Sequence, residues 1–208
     1  HAPFDARTEP KEHENGQGKF APHLIEEKYN LEDALVVAGF LNSFIRHADV
    51  LKIANIAQIV NVIAPILTKG DDMLLQSIYY PLEMYTKRRT GISLQPSVQG
   101  PTYEGKTNGE VAYIDSSAIL NENRLSVFAT NRSLEETMTV HVNLADRSIV
   151  ALDSAEILTG PEPEAMNSFE QPNLIQAQPF QAVEIADGLA TVKLPPLSVA
   201  AMTFRLGN

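Results

Sequence analysis

Residues 30–65, NLEDALVVAGFLNSFIRHADVLKIANIAQIVNVIAP, constrain this chain more than any other stretch. Leu31, Leu35, Ala38, Leu41, Phe44 and Ile45 recur at helical spacing and predict an amphipathic helix ending near Ala48. Asn30 is a suitable N-cap. Glu32 and Asp33 follow in the first turn, and Arg46 and His47 stand in the last, as the helix dipole favours. Residues 50–60 are apolar on both faces apart from Lys52, Asn55 and Gln58. Such a continuous run predicts a central strand of a parallel layer, with Gln58 and Asn61 at its polar tip. A single strand between two helices cannot bury both its faces, so the remaining strands of the layer are expected elsewhere, upstream or in another chain.

The second helix is expected over residues 73–89, with Asp71 or Asp72 as cap. Leu74, Leu75, Ile78, Leu82 and Tyr85 form its apolar face, Pro81 kinks it, and Gly91 closes it. Beyond Gly91 the period changes from helical to alternating. Strands are expected over residues 112–120, 124–131, 137–144, 148–158, 182–185, 189–194 and 198–205, with turns at 121–123, 145–147 and 186–188. Residues 161–179 hold four of the thirteen prolines and read as a long irregular connection. Short strands at close spacing predict an antiparallel sandwich. The fold class is thus α/β plus all-β: a helix–strand–helix closing a parallel barrel over residues 1–91, then a β-sandwich over 92–208. Residues 1–19 read as a surface loop and 20–29 as a short helical turn.

The formal charge of -10 excludes phosphate-backbone binding as a leading function, because nucleic-acid binders carry a basic patch. No run of apolar residues is long enough to span a membrane. With no cysteine there is neither a disulfide framework nor a thiolate metal site. This suits a reducing compartment, and a cytoplasmic location is the expectation. The chain opens on His1 inside a polar run, which reads as a piece of something longer.

Glu26, Glu27, Glu32 and Asp33 cluster near the first helix, but as N-terminal helix charge rather than an acid/base pair. The five histidines, His1, His13, His23, His47 and His141, show no metal-ligand spacing, and no cofactor or metal site is expected. His23 borders the loop into the helix and is a candidate cleft residue, and His47 reads as a helix C-terminal residue. No nucleophile elbow, dinucleotide fingerprint or P-loop occurs. Asn131-Arg132-Ser133 matches a glycosylation sequon but reads as a turn. Gln58 is the better candidate. A neutral amide at the mouth of a parallel strand both donates and accepts, as a sugar hydroxyl requires; the alternative is that it ties down a loop backbone.

The run EEKYNLEDALVVAGFLNSFIRHADVLKIANIAQIVNVIAPILT, with IYYPLEMYTKRRTG, FATNRSLEE, ILTG, NSFEQP and LPPLSVAAMTFRL, resembles the family 51 α-L-arabinofuranosidases. The resemblance covers nearly the whole chain from Ala21 onward. It implies a (β/α)8 barrel followed by a jelly-roll sandwich, assembled as a homo-oligomer. It implies retaining, exo-acting hydrolysis of terminal α-L-arabinofuranosyl groups of arabinan, arabinoxylan and short oligosaccharides. In that mechanism a nucleophilic glutamate and an acid/base glutamate lie about 5 to 5.5 Å apart.

The family's nucleophile belongs to a D-E-W-N run on its seventh strand and its acid/base to an N-E pair on its fourth. Both are implied to lie upstream, which leaves no catalytic residue in this chain and makes the chain alone inactive. Residues 50–57 correspond to the eighth strand. The glutamine of the family's A-Q-x-V-N run, which meets the arabinose, falls on Gln58. Asn61 also matches that run, without a sugar contact. The other reading is a non-catalytic accessory or oligomer-stabilising sandwich. It is weakened by the absence of tryptophan, since sugar platforms stack on aromatic rings.

Overall fold

A computed structural model describes residues 27–107 and 109–207. The expectations for residues 1–26, including His1, His13, His23 and Glu26, lie outside the described residues.

The first helix, α1, spans Leu31–Arg46. Asn30 caps it through a reciprocal box: its side chain accepts from Asp33 N at 3.0 Å, and Asp33 Oδ2 accepts from Asn30 N at 3.0 Å. Asp33 is thereby accounted for as a capping carboxylate. Leu31, Ala34, Leu35 and Ala38 are buried on the inner face, together with Asn42. At about 1.5–3 kcal/mol for each large apolar side chain withdrawn from water, this face anchors the helix. The opposite side leaves Val36, Phe40 and Phe44 exposed, with the two rings stacked at 6.4 Å.

The strand expected over residues 50–60 is not formed. Residues 51–56 take no regular structure, and only Val60 makes a bridge, a parallel one to Ile66. Val50, Ile53, Ile56, Ile59 and Val60 are exposed. A strand exists only through hydrogen bonds to a neighbour, and no described residue offers one along this run. Nor is the second helix as long as its apolar period predicts. Residues 61–69 are not simply a loop, because β1 (Ile66–Lys69) pairs antiparallel with β2 (Asp72–Leu75). Asp71 and Asp72 therefore belong to the hairpin and cap nothing. The helix that follows, α2, is Tyr79–Thr86, with no side-chain cap. Leu74 and Leu75, assigned to its face by spacing, lie in β2. Pro81 does not kink the helix: it stands in the first turn, where amide protons have no intrahelical partner to lose.

The all-β expectation holds closely. The strands are β3 (Ile92–Leu94), β4 (Thr102–Gly105), β5 (Gly109–Ala112), β6 (Ile114–Asn121), β7 (Arg124–Asn131), β8 (Met138–Val142), β9 (Ile149–Leu158), β10 (Gln178–Pro179), β11 (Val183–Ala186), β12 (Leu189–Leu194) and β13 (Ser198–Leu206). Six of them form an antiparallel sheet in the order β10-β9-β13-β7-β6-β3, and three form a second in the order β11-β12-β8. The β11–β12 turn is Asp187-Gly188, both at positive φ, as a two-residue hairpin between right-twisted strands requires. The short strands β3, β4 and β5 carry too few residues for alternation to reveal them.

Side chains of the six-stranded sheet point alternately into two cores. Leu125, Val127, Ala200, Met202 and Phe204 meet Ala190, Val192 and Leu194 of the three-stranded sheet. Phe128, Val199 and Ala201 point the other way, against Leu31, Leu35 and Ala38 of α1 and Met84 and Tyr85 of α2. The helices and the six-stranded sheet therefore share one core, and the two sheets share the other. The connection over residues 161–179 is irregular apart from isolated pairings, as expected, and is ordered by buried Asn167. That side chain donates to Leu75 O at 2.9 Å and Ile175 O at 2.8 Å and accepts from Ile175 N at 2.7 Å.

Candidate functional site

Gln58 stands exposed at the end of the irregular run and just before a turn of unusual backbone. Asn61 and Val62 are both left-handed, at φ 61° and 62°. Asparagine tolerates this region, but a β-branched valine does so at a cost of order 1–3 kcal/mol. Such strain persists only where the surroundings over-determine it, and here they do. Asn61 N donates to Ile66 O at 2.8 Å. Asn61 Oδ1 accepts from Thr68 N at 2.7 Å, and Asn61 Nδ2 donates to Thr68 Oγ1 at 2.9 Å.

A second set of bonds holds the far side of the turn. Gln76, 2% exposed, accepts from Tyr29 N at 3.0 Å and donates to Ala64 O at 2.7 Å and Glu27 O at 3.1 Å. Glu27 N donates to Val62 O at 2.7 Å, and Tyr29 Oη donates to Ile63 O at 3.0 Å. Burial, with Glu27 and Asp33 nearby, raises the Tyr29 phenol above its ordinary value, so it remains a neutral donor. The segment before α1 and the hairpin after the turn thus clamp the residues that follow Gln58. Spacing gave no hint of Tyr29, Thr68 or Gln76. Gln76 falls inside the over-long expected helix, where a polar residue reads as solvent-facing.

The other polar clusters have structural explanations. Asn42, fully buried, donates to Asp115 Oδ2 at 2.9 Å and accepts from Ser117 Oγ at 2.7 Å and Tyr85 Oη at 2.9 Å. Arg46 closes on Asp115 at 3.0 Å. Burial first, then the Asp115 charge, pushes the Tyr85 phenol far up, so it is a permanent donor. A cleft of about 920 Å³ beside β9 and β13 is lined by cations already matched to carboxylates. Arg88 and Lys87 reach Glu156 at 2.6 and 2.9 Å, and Arg205 and Arg124 reach Asp153 at 2.5 and 3.4 Å. His47 lies at the helix end, with Nδ1 2.8 Å from Ser43 O. His141 is on exposed β8, paired with Thr191. Asn131 of the sequon is fully buried, its amide donating to Leu194 O and Pro195 O, so it cannot carry a glycan in this fold.

A family model described as the alpha-L-arabinofuranosidase C-terminal domain matches residues 5–198. The chain belongs to that family. A similar curated protein is the intracellular exo-alpha-(1->5)-L-arabinofuranosidase of Streptomyces lividans, 33% identical over 86% of this chain and 27% of its own length. Another is the intracellular exo-alpha-(1->5)-L-arabinofuranosidase 1 of Bacillus subtilis, 33% identical over 84% of this chain and 35% of its own. Among solved structures, a family 51 alpha-L-arabinofuranosidase from Bifidobacterium longum superposes with a TM-score of 0.82, at 28% identity over 88% of this chain and 37% of that one. The family 51 arabinofuranosidase of Xanthomonas axonopodis pv. citri gives 0.80, at 28% identity over 87% and 37%. The chain therefore spans about a third of the relatives it matches and corresponds to the C-terminal part of a family 51 arabinofuranosidase.

The one Asn-Glu pair of the sequence is Asn121-Glu122. It occupies the β6–β7 hairpin, with Glu122 at φ 55° in the turn. No D-E-W-N run occurs in the sequence. No helix among the described residues is long and apolar enough to cross a membrane.

Proposed function

We propose that this chain completes a retaining, exo-acting α-L-arabinofuranosidase that releases terminal non-reducing α-L-arabinofuranosyl groups from arabinan, arabinoxylan and arabino-oligosaccharides. The family match over residues 5–198, with relatives named as exo-arabinofuranosidases, carries the reading. In this reading residues 1–91 close a (β/α)8 barrel and residues 92–208 form its jelly-roll sandwich. The run over residues 50–57 is the last barrel strand, paired only when the upstream strands are beside it. The exposed side chains of Val50, Ile53, Ile56 and Ile59 support this, because soluble proteins rarely leave so continuous an apolar strip uncovered. Both catalytic glutamates lie upstream, and the enzyme forms a homo-oligomer. The relatives named intracellular favour a cytoplasmic location.

Gln58 then projects from the strand end into the sugar subsite, where its amide accepts from one arabinose hydroxyl and donates to another. Losing a buried hydrogen-bonded contact costs about 1–3 kcal/mol, so Gln58→Ala lowers kcat/KM by roughly 5- to 150-fold. The measurement is release of p-nitrophenol from its α-L-arabinofuranoside by the full-length enzyme. An unchanged kcat/KM removes Gln58 from the site.

A further inference from the structure

We propose that Asn61 is a positioning residue for Gln58: its side chain clasps Thr68 and fixes the left-handed turn that sets where the glutamine points. The inference rests on the reading of Gln58 given above and names how that residue is held. Residues 51–56, on the N-terminal side of Gln58, take no regular structure. On its C-terminal side, three residues on, begins the most constrained backbone in the region. Among the described residues, Gln58 is therefore held from its C-terminal side, and in the full-length enzyme this turn adds to the hold of the strand proposed over residues 50–57.

Within that turn Asn61 makes the decisive bonds. Its backbone N–H is held by Ile66 O, and its amide oxygen and nitrogen are both engaged by Thr68, at 2.7 and 2.9 Å. Thr68 engages Oδ1 and one of the two Nδ2 protons, which commits the amide chiefly to the turn, and its effect on the reaction is expected to pass through another residue. Asparagine suits the place twice over. It accepts the left-handed backbone that φ 61° imposes, and it supplies an acceptor and a donor side by side for the Thr68 backbone and hydroxyl. The strained Val62 that follows has no side-chain hydrogen bond to hold it, so it depends on the clasp before it and on the Glu27 N–H that meets its carbonyl at 2.7 Å.

The test uses the full-length enzyme and p-nitrophenyl α-L-arabinofuranoside. Asn61→Gly keeps the backbone conformation and removes the clasp. Misplacing a substrate-holding group by an ångström costs up to about a hundredfold, so Asn61→Gly is expected to lower kcat/KM by at least roughly tenfold. Asn61→Asp retains the acceptor for Thr68 N, and the Thr68 hydroxyl, 3.3 Å from Oδ1, turns to donate. It is expected to stay within about threefold of the parent, which a role for the amide nitrogen in sugar contact would not allow.

The deciding measurement is the double variant. If Asn61 acts through Gln58, Asn61→Gly costs less than about twofold in the Gln58→Ala background, since coupled residues are not additive. Equal losses in both backgrounds mean a merely structural role and overturn the proposal, as does full activity of Asn61→Gly alone. If Asn61→Gly fails to fold by circular dichroism, Thr68→Ala removes the clasp's hydroxyl instead. Its smaller loss must likewise vanish in the Gln58→Ala background. The two failures are distinguishable. An unchanged kcat/KM for Gln58→Ala removes the reading of Gln58 and this inference together, whereas a Gln58→Ala loss with additive Asn61 losses removes this inference alone.

Discussion

Asn42→Ala tests what fastens α1 to the sandwich. The Asn42 side chain makes three hydrogen bonds in a fully buried setting, one of them to the Asp115 carboxylate. A bond to a charged group is worth about 1.5–3 kcal/mol and a neutral one about 1 kcal/mol. Truncation also strands the buried Ser117 hydroxyl and leaves the Tyr85 hydroxyl only the longer bond to Ala38 O at 3.4 Å. The sum is about 3.5–5 kcal/mol, most of it the penalty for leaving buried donors unpaired. Equilibrium urea unfolding of the protein reads this as a lower midpoint at constant slope. Tyr85→Phe supplies the internal control. Alone it costs about 1–1.5 kcal/mol, the worth of one buried bond. In the Asn42→Ala background it costs little, because the phenol keeps only the longer bond to Ala38 O at 3.4 Å, which gives a coupling of about 1 kcal/mol. Additive losses, or an Asn42→Ala cost under about 1 kcal/mol, would refute the network as the fastening.

Three further outcomes are expected. Gly91 sits at φ 137° against the Leu120 backbone, where a Cβ would collide with the carbonyl, so Gly91→Ala lowers stability by about 2–3 kcal/mol in the same assay. Burial pushes the Glu156 carboxyl up, but hydrogen bonds from Arg88 and Lys87 more than offset this and hold it below its ordinary value. Its contribution is therefore complete above the unfolded-state value of about 4.3 and is lost as pH falls through the lower folded value. Melting temperature should fall over that acid range, and less steeply in Glu156→Gln, whereas parallel acid limbs would show that Glu156 does not contribute. Size-exclusion chromatography with light scattering checks the proposed homo-oligomer, which a monomeric mass for the full-length enzyme excludes.

What the sequence disclosed follows from where each element draws its support. The capped helix and strands such as β7 and β12 are specified locally, by a box of Asn30 and Asp33 and by apolar residues that find partners within the chain. β7 and β12 fall on the residues that patterning assigns, Arg124–Asn131 and Leu189–Leu194. Residues 50–60 carry an equally clear apolar pattern but find no neighbour to pair with, so pattern and structure part there. The second helix failed differently. Leu74 and Leu75 fit its 3.6 period, but the hairpin of two four-residue strands, β1 and β2, uses the same side chains, and short apolar runs do not separate the two. At the candidate site the proposal of Gln58 rests on a resemblance. The clamp of Tyr29, Thr68 and Gln76 was not legible, because it joins segments up to 49 residues apart and leaves no period.

The shared core of α1, α2 and the six-stranded sheet bears on how this sandwich could be exchanged between enzymes. Phe128 stacks on Tyr85 at 4.1 Å, and Leu31 and Val199 lie in the same apolar cluster, so the two halves of the chain have been shaped against each other. A recombination joint placed between α2 and β3 would pair each half with a surface fitted to someone else. A chimera that carries α1 and α2 along with its own strands keeps the interface whole. The unit to exchange takes in α1 and α2 as well as the sandwich strands.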